Sequence, residues 1–342
     1  MMFDWHEYIP ESVFSHITSV RVDAPETIAE EAQMRSRRPR LADDGKLCIL
    51  ACDHPGRRVT NALDDPLWMG NRHDYLARIL RVMSHPEIDG VMTTPDIVDD
   101  LLILSRVQRK KTGSSFLDDK LIIGCMNRGG LAGAEFEMDD RMTAYTPDGI
   151  VAGRLDAAKI MFRLDLLDQR SVDTIEICAN AVTELNRLGV PVFLEPLPVV
   201  RSDTGYSVSS DPSEVIKTIG VASALGTSSA RVWLKVPITP RFDRVCRATT
   251  LPILVLGGES IGDPVRVIRE VKSAMGAGSN VRGVLIGRSV LYPGNADPLG
   301  VAVAISRTVH NNASIEEATE ALHACSDFGV GLFNTDPGDG TL

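Results

Sequence analysis

The sequence predicts an α/β protein that folds as a (β/α)8 TIM barrel with an N-terminal helical extension. Eight short apolar runs alternate with longer segments of helical periodicity, a pattern typical of repeated βαβ units. Nearly every residue in these runs is apolar, as expected for parallel strands that are covered on both faces. Eight such units over about 240 residues fit a closed barrel.

The predicted strands are KLCILACD (46–53), IDGVMTT (88–94), LIIGCMN (121–127), AAKIMFRL (157–164), VPVFLEP (190–196), ARVWLKV (230–236), PILVLGG (252–258) and GVLIGR (283–288). Helices are predicted over 94–111 and 171–189, each opening on a Thr or Ser N-cap. We assign residues 1–45 to the extension, with a charged helical segment at about 26–38, 46–325 to the barrel and 326–342 to a mobile tail rich in Gly, Asp and Thr. An open doubly wound sheet is the alternative, although no G-x-G-x-x-G follows the first strand.

Composition narrows the class of protein. The chain has 342 residues, of which 44% are hydrophobic, and a formal net charge of -10, which argues against a nucleic-acid-binding surface. Its six cysteines form no C-x-x-C pair and mostly lie in apolar runs, so we expect reduced core thiols and a cytoplasmic protein. No signal peptide or membrane-spanning segment is predicted, and we expect no membrane partner.

Polar residues cluster where the predicted strands end, and in a barrel of this kind that edge carries the chemistry. Lys235 is the most unusual of them, a lone lysine within an otherwise apolar run. Burying one unpaired charge costs several kcal/mol, whereas charges that converge on one cavity can compensate one another. The residues at this edge are Asp53, Lys159, Arg163, Glu195, Lys235, Gly257 to Ser260, Gly287 and Arg288.

Six segments in strand order resemble the class I, Schiff-base aldolases, in particular the bacterial and archaeal branch of fructose-bisphosphate-aldolase-like barrels. They are ILACDHPGR (49–57), DAAKIMFR (156–163), FLEP (193–196), WLKVP (233–237), LVLGGES (254–260) and GVLIGRSVLY (283–292). The resemblance extends over about 46–323, including AISRTVHNNASIEEATEAL near the end. Each match is short. The resemblance depends on finding all six in the same order and on the corresponding strands.

The resemblance implies that Lys235 forms the Schiff base. A free lysine with a pKa near 10.4 is protonated at pH 7, so the reaction needs a pKa lowered to about 7 to 8. We expect desolvation by Val232, Trp233 and Val236, and repulsion from Lys159, to lower it. A lysine that snorkels at a strand end is the structural alternative.

The resemblance also assigns roles to the neighbouring side chains. Lys159 orients the carbonyl oxygen and helps to expel water, Glu195 moves protons, and Asp53 pairs with a lysine and steers protons. A phosphate is expected on the backbone of the loops after strands seven and eight, with Arg288 supplying charge. The implied phosphate-binding residues are Gly257, Gly258, Ser260, Gly287 and Arg288, and the further substrate-binding candidates are Arg163, His54, Arg57 and Arg128.

The sequence departs from the sugar-bisphosphate aldolases at two places. Strand three ends in NRGG (127–130), where many relatives have a lysine for a second phosphate, and HPGRR (54–58) adds two arginines after strand one. Arginine binds carboxylates in a bidentate manner, so a phosphorylated keto acid is a reasonable substrate. The specific expectation is cleavage of 2-deoxy-5-keto-gluconate 6-phosphate to dihydroxyacetone phosphate and malonic semialdehyde, as in inositol catabolism.

Rival functions stay open at this point. A zinc-dependent aldolase needs clustered ligands, but His54, His73, His85 and His310 show no H-x-H or H-E-x-x-H arrangement, so we expect no metal. The sequence is also compatible with a non-catalytic sugar-phosphate sensor, a lysine-dependent acyl transferase or a deoxyribose-phosphate lyase. The resemblance implies no cofactor beyond the covalent Schiff base, and a homo-oligomer.

Overall fold

Eight parallel strands close into a barrel in the computed structural model, which describes residues 3–128, 131–203, 205–324 and 328–333. The barrel strands are β1 Leu47–Ala51, β2 Gly90–Thr93, β3 Leu121–Cys125, β4 Ala157–Leu164, β5 Val192–Ser202, β7 Val232–Pro237, β8 Ile253–Leu256 and β9 Val281–Ile286, and a further strand, β6 Gly205–Val208, lies outside the ring. Each barrel strand pairs in parallel with its neighbours, and the β1–β9 and β4–β5 pairings complete the ring. This confirms the predicted TIM barrel and excludes the open sheet.

Helices surround the barrel on its outer side. They are α1 Glu11–Asp23, α2 Glu26–Met34, α3 Arg72–Met83, α4 Pro95–Thr112, α5 Pro147–Ala152, α6 Arg170–Arg187, α7 Pro212–Ser223, α8 Phe242–Cys246, α9 Pro264–Met275, α10 Arg288–Leu291, α11 Pro298–His310 and α12 Ile315–Ala321, with short 3-10 helices at Trp5–Glu7, Pro55–Arg57 and Trp68–Gly70. Five helices carry Pro in the first turn after a Thr or Asp N-cap, where the missing N–H costs nothing: α4, α5, α7, α9 and α11. Within the described ranges, every helix is too short or too polar to cross a membrane.

Two features of the fold differ from the sequence prediction. Strand five continues beyond residue 196 to Ser202, because its end pairs antiparallel with β6 to form a hairpin beyond the barrel proper. The extension contains two helices, and the second ends at Met34 rather than near residue 38. Most of the predicted tail, 326–342, lies outside the described residues.

The extension is tied to the barrel by buried charges. The Arg35 guanidinium donates to the Lys120 carbonyl at 2.7 Å and to the Asp156 carboxylate at 3.0 Å, immediately before β3 and β4. Leu41 and Ala42 then pack against the cluster inside the barrel. The extension therefore covers the end of the barrel at which the strands begin, and leaves the other end free.

Side-chain alternation separates two cores. One face of each strand packs against helices, and the other fills the barrel interior with residues such as Leu47, Phe193 and Leu254. Five cysteines, Cys48, Cys52, Cys125, Cys178 and Cys246, are buried free thiols, as predicted, and Cys325 lies outside the described residues.

Candidate active site

Three strands bring a lysine, a glutamate and a second lysine together inside the barrel. Lys159 follows Ala157 on β4, Glu195 follows Phe193 on β5 and Lys235 follows Trp233 on β7, each two residues further along the inward face. The Glu195 carboxylate lies between the two ammonium groups, with Oε1 2.9 Å from Lys235 Nζ and Oε2 2.8 Å from Lys159 Nζ. All three side chains are buried, with residue exposures of 0 to 5%.

Asp53 extends this row from the end of β1. Its Oδ2 lies 3.4 Å from Lys159 Nζ and 3.7 Å from a terminal nitrogen of Arg57. Its other oxygen, Oδ1, is buried and has no hydrogen-bond partner among the described residues. The structure thus brings together the four residues predicted to be catalytic, and we call Asp53, Lys159, Glu195 and Lys235 the charged row.

The two lysines of the charged row have opposite pKa shifts. Burial disfavours the charge on both, but at Lys159 the carboxylates of Glu195 and Asp53 outweigh it and raise the pKa above the ordinary lysine value. At Lys235 burial is the largest effect, and repulsion from Lys159 adds to it, so the pKa is lowered in spite of Glu195. The row therefore favours an ammonium at Lys159 and makes Lys235 the easier of the two lysines to deprotonate.

The carboxylates of the row are held in their ionised form. Burial alone would raise the pKa of both, but the neighbouring cations dominate, Lys159 first in each case. The pKa of Asp53 lies well below its usual range, and that of Glu195 falls to about 2. Both groups are consequently proton acceptors at neutral pH.

The source of the desolvation around Lys235 differs from the prediction. Trp233 shares the barrel interior with Lys235, as the alternation requires. Val232 and Val236 instead belong to the outer core that packs against helices, so the expectation that they desolvate Lys235 is wrong. The interior position of the lysine also rules out a snorkelling side chain, because only 6% of the Lys235 side chain is exposed.

A cavity of about 400 Å³ adjoins the charged row through Arg57, which lines the cavity and lies 3.7 Å from Asp53. Met161 and Leu197, which follow Lys159 and Glu195 by two residues on the inward faces, also line it, whereas the four residues of the row do not. Arginines line its walls, and three of them have a buried Nε with no partner in the described part of the chain: Arg57, Arg163 and Arg288. Such a set of donors suits an anionic ligand.

Two carboxylates already neutralise part of this positive charge. Arg163 pairs with Glu137, with a nitrogen 2.5 Å from Oε1 and a second hydrogen bond to the Glu137 carbonyl. Arg288 lies 3.0 Å from Glu259, whose side chain is 73% exposed. Since an exposed carboxylate can swing into solvent at little cost, Arg288 is the more available of the two.

The predicted phosphate residues do not share one cavity: two of the five line a second cavity of about 410 Å³, and Arg288 lines the first. Gly257 and Gly258 line the second cavity, whereas the Ser260 hydroxyl donates to the Tyr292 carbonyl, which leaves only its oxygen lone pairs and its backbone for a ligand. Sequence reasoning missed Ser289, the neighbour of Arg288. Its hydroxyl is buried, lines this cavity and has no partner among the described residues.

The remaining candidates fall in different places. His54 is buried beside Gly287, where a Cβ would lie 2.3 Å from the Ala51 carbonyl oxygen and 2.6 Å from the imidazole. Burial lowers the pKa of His54 to about 3, so its imidazole is neutral. Arg128 lines neither of the two cavities and donates through Nε to Thr143 at 3.2 Å.

Sequence reasoning also missed the hairpin wall of the first cavity. Tyr206 and Val208 of β6 line the cavity together with Val199 of β5. The Tyr206 hydroxyl is held by Asp168 and Arg170 at the start of α6. No motif marks this hairpin, although the apolar run that continues beyond Pro196 to Val200 is a signal that could have extended the strand.

Known proteins share this fold and sequence pattern. The sequence matches the Cgl0159-like family over residues 45–309. A crystal structure of Cgl0159 from Corynebacterium glutamicum is 36% identical, with 89% of this chain and 99% of that chain covered and a TM-score of 0.82. An archaeal fructose 1,6-bisphosphate aldolase shares the fold, with a TM-score of 0.58 at 19% identity over 83% of this chain and 99% of that chain.

A curated relative extends the comparison to a named activity. The 2-amino-3,7-dideoxy-D-threo-hept-6-ulosonate synthase of Halobacterium salinarum is 26% identical over 289 residues, which cover 84% of this chain and 96% of the synthase. The family match takes in all eight barrel strands and all four residues of the charged row, so the chain belongs to the Cgl0159-like family.

Proposed function

We propose that this protein is a Schiff-base-forming aldolase of class I that needs no metal for its chemistry. The observation that carries the proposal is the charged row, in which a buried lysine with a lowered pKa shares a carboxylate with a second lysine whose pKa is raised. A nucleophilic amine, a proton donor and a proton acceptor are the three groups that imine chemistry requires. The relationship to a synthase of a hept-6-ulosonate, a keto sugar acid by its name, supports the same class.

The proposed cycle begins when the Lys235 amine attacks the ketone carbon of the substrate. Lys159 donates a proton to the resulting hydroxyl, water leaves and an iminium remains. Glu195, 2.9 Å from the Lys235 nitrogen, accepts the proton that this nitrogen loses and passes it to the alkoxide oxygen, which gives the carbinolamine hydroxyl and leaves Glu195 ionised again. The iminium then serves as the electron acceptor for cleavage of the carbon skeleton.

Cleavage follows by loss of the proton from the hydroxyl on the carbon β to the iminium. Glu195 or a substrate oxygen takes this proton, the hydroxyl carbon becomes an aldehyde, and the bond between the α and β carbons breaks. Its electrons pass to the iminium, which becomes an enamine. Protonation of the α carbon and hydrolysis by water release the ketone product and restore the amine.

The cavities favour a phosphorylated keto sugar or keto sugar acid as substrate. In this proposal the phosphate binds at Gly257 and Gly258 of one cavity and Arg288 of the other, and a second anionic group binds near Arg57. The specific substrate proposed is 2-deoxy-5-keto-gluconate 6-phosphate, with dihydroxyacetone phosphate and malonic semialdehyde as products. Its carboxylate is a planar acceptor that suits the guanidinium of Arg57.

Borohydride trapping tests the class of reaction. With dihydroxyacetone phosphate present, reduction should leave an adduct on the Lys235 peptide of the wild type and none in Lys235→Ala. Lys120 is an internal control, because burial also lowers its pKa, to about 8, but it lies before β3 at the opposite end of the barrel. An adduct on Lys120, or none on any lysine of the folded protein, contradicts the proposal.

Trapping with other carbonyl compounds distinguishes the related reactions. An adduct with acetaldehyde in place of dihydroxyacetone phosphate would indicate a deoxyribose-phosphate lyase. Phosphate binding without any adduct would indicate a sugar-phosphate sensor. An adduct with dihydroxyacetone phosphate and turnover with malonic semialdehyde, measured as formation of the phosphorylated keto acid, supports the specific substrate.

A further inference from the structure

Two histidines and a glutamate meet where the N-terminal extension contacts the barrel. His6 lies in the 3-10 helix Trp5–Glu7, Glu11 opens α1, and His73 lies in the first turn of α3. One ligand atom of each lies within 4.8 Å of the other two. None of these residues takes part in the charged row or lines either cavity described above.

The orientation of His73 leaves a lone pair directed at a carboxylate. Its Nε2 lies 2.6 Å from the Ile9 carbonyl oxygen, which can only accept a hydrogen bond, so Nε2 carries the proton. In the neutral imidazole Nδ1 is then bare, and it faces Glu11 Oε2 at 3.5 Å. Two acceptors at this separation repel each other unless a proton or a metal cation lies between them.

The separation itself fits a metal ion. Zinc binds imidazole nitrogen and carboxylate oxygen at about 2.0 to 2.2 Å in a tetrahedral arrangement, which places neighbouring ligand atoms about 3.3 to 3.6 Å apart. The 3.5 Å between Nδ1 and Oε2 is one edge of such a tetrahedron. His6 and Glu11 have side chains that are 55% and 70% exposed, so small rotations can bring the third ligand to the same distance.

Hydrogen bonds on the far side of each imidazole complete the pattern. The Asp4 carboxylate lies 3.1 Å from His6 Nδ1 and accepts from it, which leaves His6 Nε2 as a free ligand atom. His73 is held in the same manner by the Ile9 carbonyl and by stacking on Phe14, with 4.2 Å between ring centroids. Such outer hydrogen bonds fix the tautomer of metal-bound histidines and increase their basicity.

From this arrangement we propose that His6, Glu11 and His73 bind one divalent cation of the zinc type, with water in the remaining position. Two imidazoles and a carboxylate favour zinc over magnesium or calcium, which prefer oxygen ligands alone. The ion joins the start of the extension to α3, the helix that follows β1. It stabilises the folded chain by binding it in preference to the unfolded one.

Cobalt is the spectroscopic probe for this site. Full-length protein treated with a chelator should bind one equivalent of Co²⁺ with the visible d–d absorption of a four- or five-coordinate ion, and Zn²⁺ should abolish that absorption. Removing an outer hydrogen bond typically weakens metal binding about 10- to 100-fold, so loss of a ligand should weaken it at least as much. His6→Ala and Glu11→Gln are suitable variants because both side chains are exposed.

His323→Ala and Glu7→Gln are the matched controls, since both residues are exposed and neither belongs to the cluster. Zinc should raise the Tm of the wild type and of both controls, and leave the Tm of His6→Ala unchanged. Co²⁺ binding that is equal in the wild type and in both ligand variants overturns the proposal. Absence of a stoichiometric cobalt spectrum overturns it as well.

Discussion

Replacing Glu195 by Gln should separate two properties of Lys235 that the wild type combines. The Glu195 carboxylate stabilises the charged form of Lys235 from 2.9 Å, and it also moves protons in the proposed cycle. Glutamine keeps the shape of the side chain but removes the charge. The variant should therefore have a more easily deprotonated lysine and a slower reaction.

The size of the pKa change follows from the distance. Two unit charges about 3 Å apart interact by about 5.5 kcal/mol at an effective dielectric constant of about 20, which corresponds to a pKa change of about 4. This is an upper bound, because Lys159 shares the same carboxylate at 2.8 Å. We expect the pKa of Lys235 to fall by less than this bound, while kcat falls by about 10²- to 10⁴-fold through loss of proton transfer.

Competitive acetylation with acetic anhydride measures this pKa directly. The extent of reaction at Lys235 is followed by peptide mass spectrometry as a function of pH, with the exposed Lys217 of α7 as the internal reference. A midpoint for Lys235 that stays in place or rises in Glu195→Gln would refute the reasoning. An unchanged kcat alongside a lowered midpoint would show that another group transfers the protons.

Three further predictions concern stability in urea titrations. At pH 7 Lys159→Met should lower the free energy of unfolding by about 3 to 5 kcal/mol, because it removes the cation that pairs with two buried carboxylates. Lys235→Met should leave the free energy of unfolding unchanged or slightly higher, because burial already opposes the charge on Lys235. Equal losses in the two variants would contradict this expectation. The pKa of Glu195 is lowered to about 2 in the folded protein from 4.5 in the unfolded chain, so its ionised form stabilises the fold above pH 4.5. About 3 kcal/mol of the free energy of unfolding should therefore be lost as the pH falls from 4.5 towards 2. Glu195→Gln should lack this part of the pH dependence. Gly287→Ala should cost more than about 2 kcal/mol, since its Cβ would lie 2.3 Å from a backbone oxygen, whereas Gly258→Ala, with open space around it, should be tolerated; a tolerated Gly287→Ala would mean that the β1 and β9 ends can separate.

The strands were predictable because each is a short apolar run bounded by polar residues. A run of this length that is apolar on both faces is typical of a parallel strand buried between helices and the barrel interior. The helix α1 was missed, although Val13, Ile17 and Val20 have helical spacing and are its buried residues. The β5–β6 hairpin was not predictable in the same way. Gly205–Val208 is partly exposed and becomes a strand only by pairing with the end of β5.

The charged row was predictable for a geometric reason. Inward side chains on parallel strands recur every second residue, so polar residues near the ends of β1, β4, β5 and β7 were bound to converge. Loop contacts follow no such rule. The pairing of Arg163 with Glu137 and of Ser260 with the Tyr292 carbonyl depends on how loops fold over the barrel, and contacts between residues distant in the sequence decide this.

The opposite behaviour of the two lysines depends on where the carboxylates lie. Lys159 contacts two of them, Glu195 at 2.8 Å and Asp53 at 3.4 Å, whereas Lys235 pairs with the carboxylate that Lys159 also uses. A symmetric site with one carboxylate for each lysine would leave both protonated and provide no nucleophile. With two carboxylates on one side, the pKa of Lys159 is raised, whereas burial lowers that of Lys235. The position of Asp53 at the end of β1 thus makes two chemically identical side chains unequal, as the proposed roles of acid and nucleophile require.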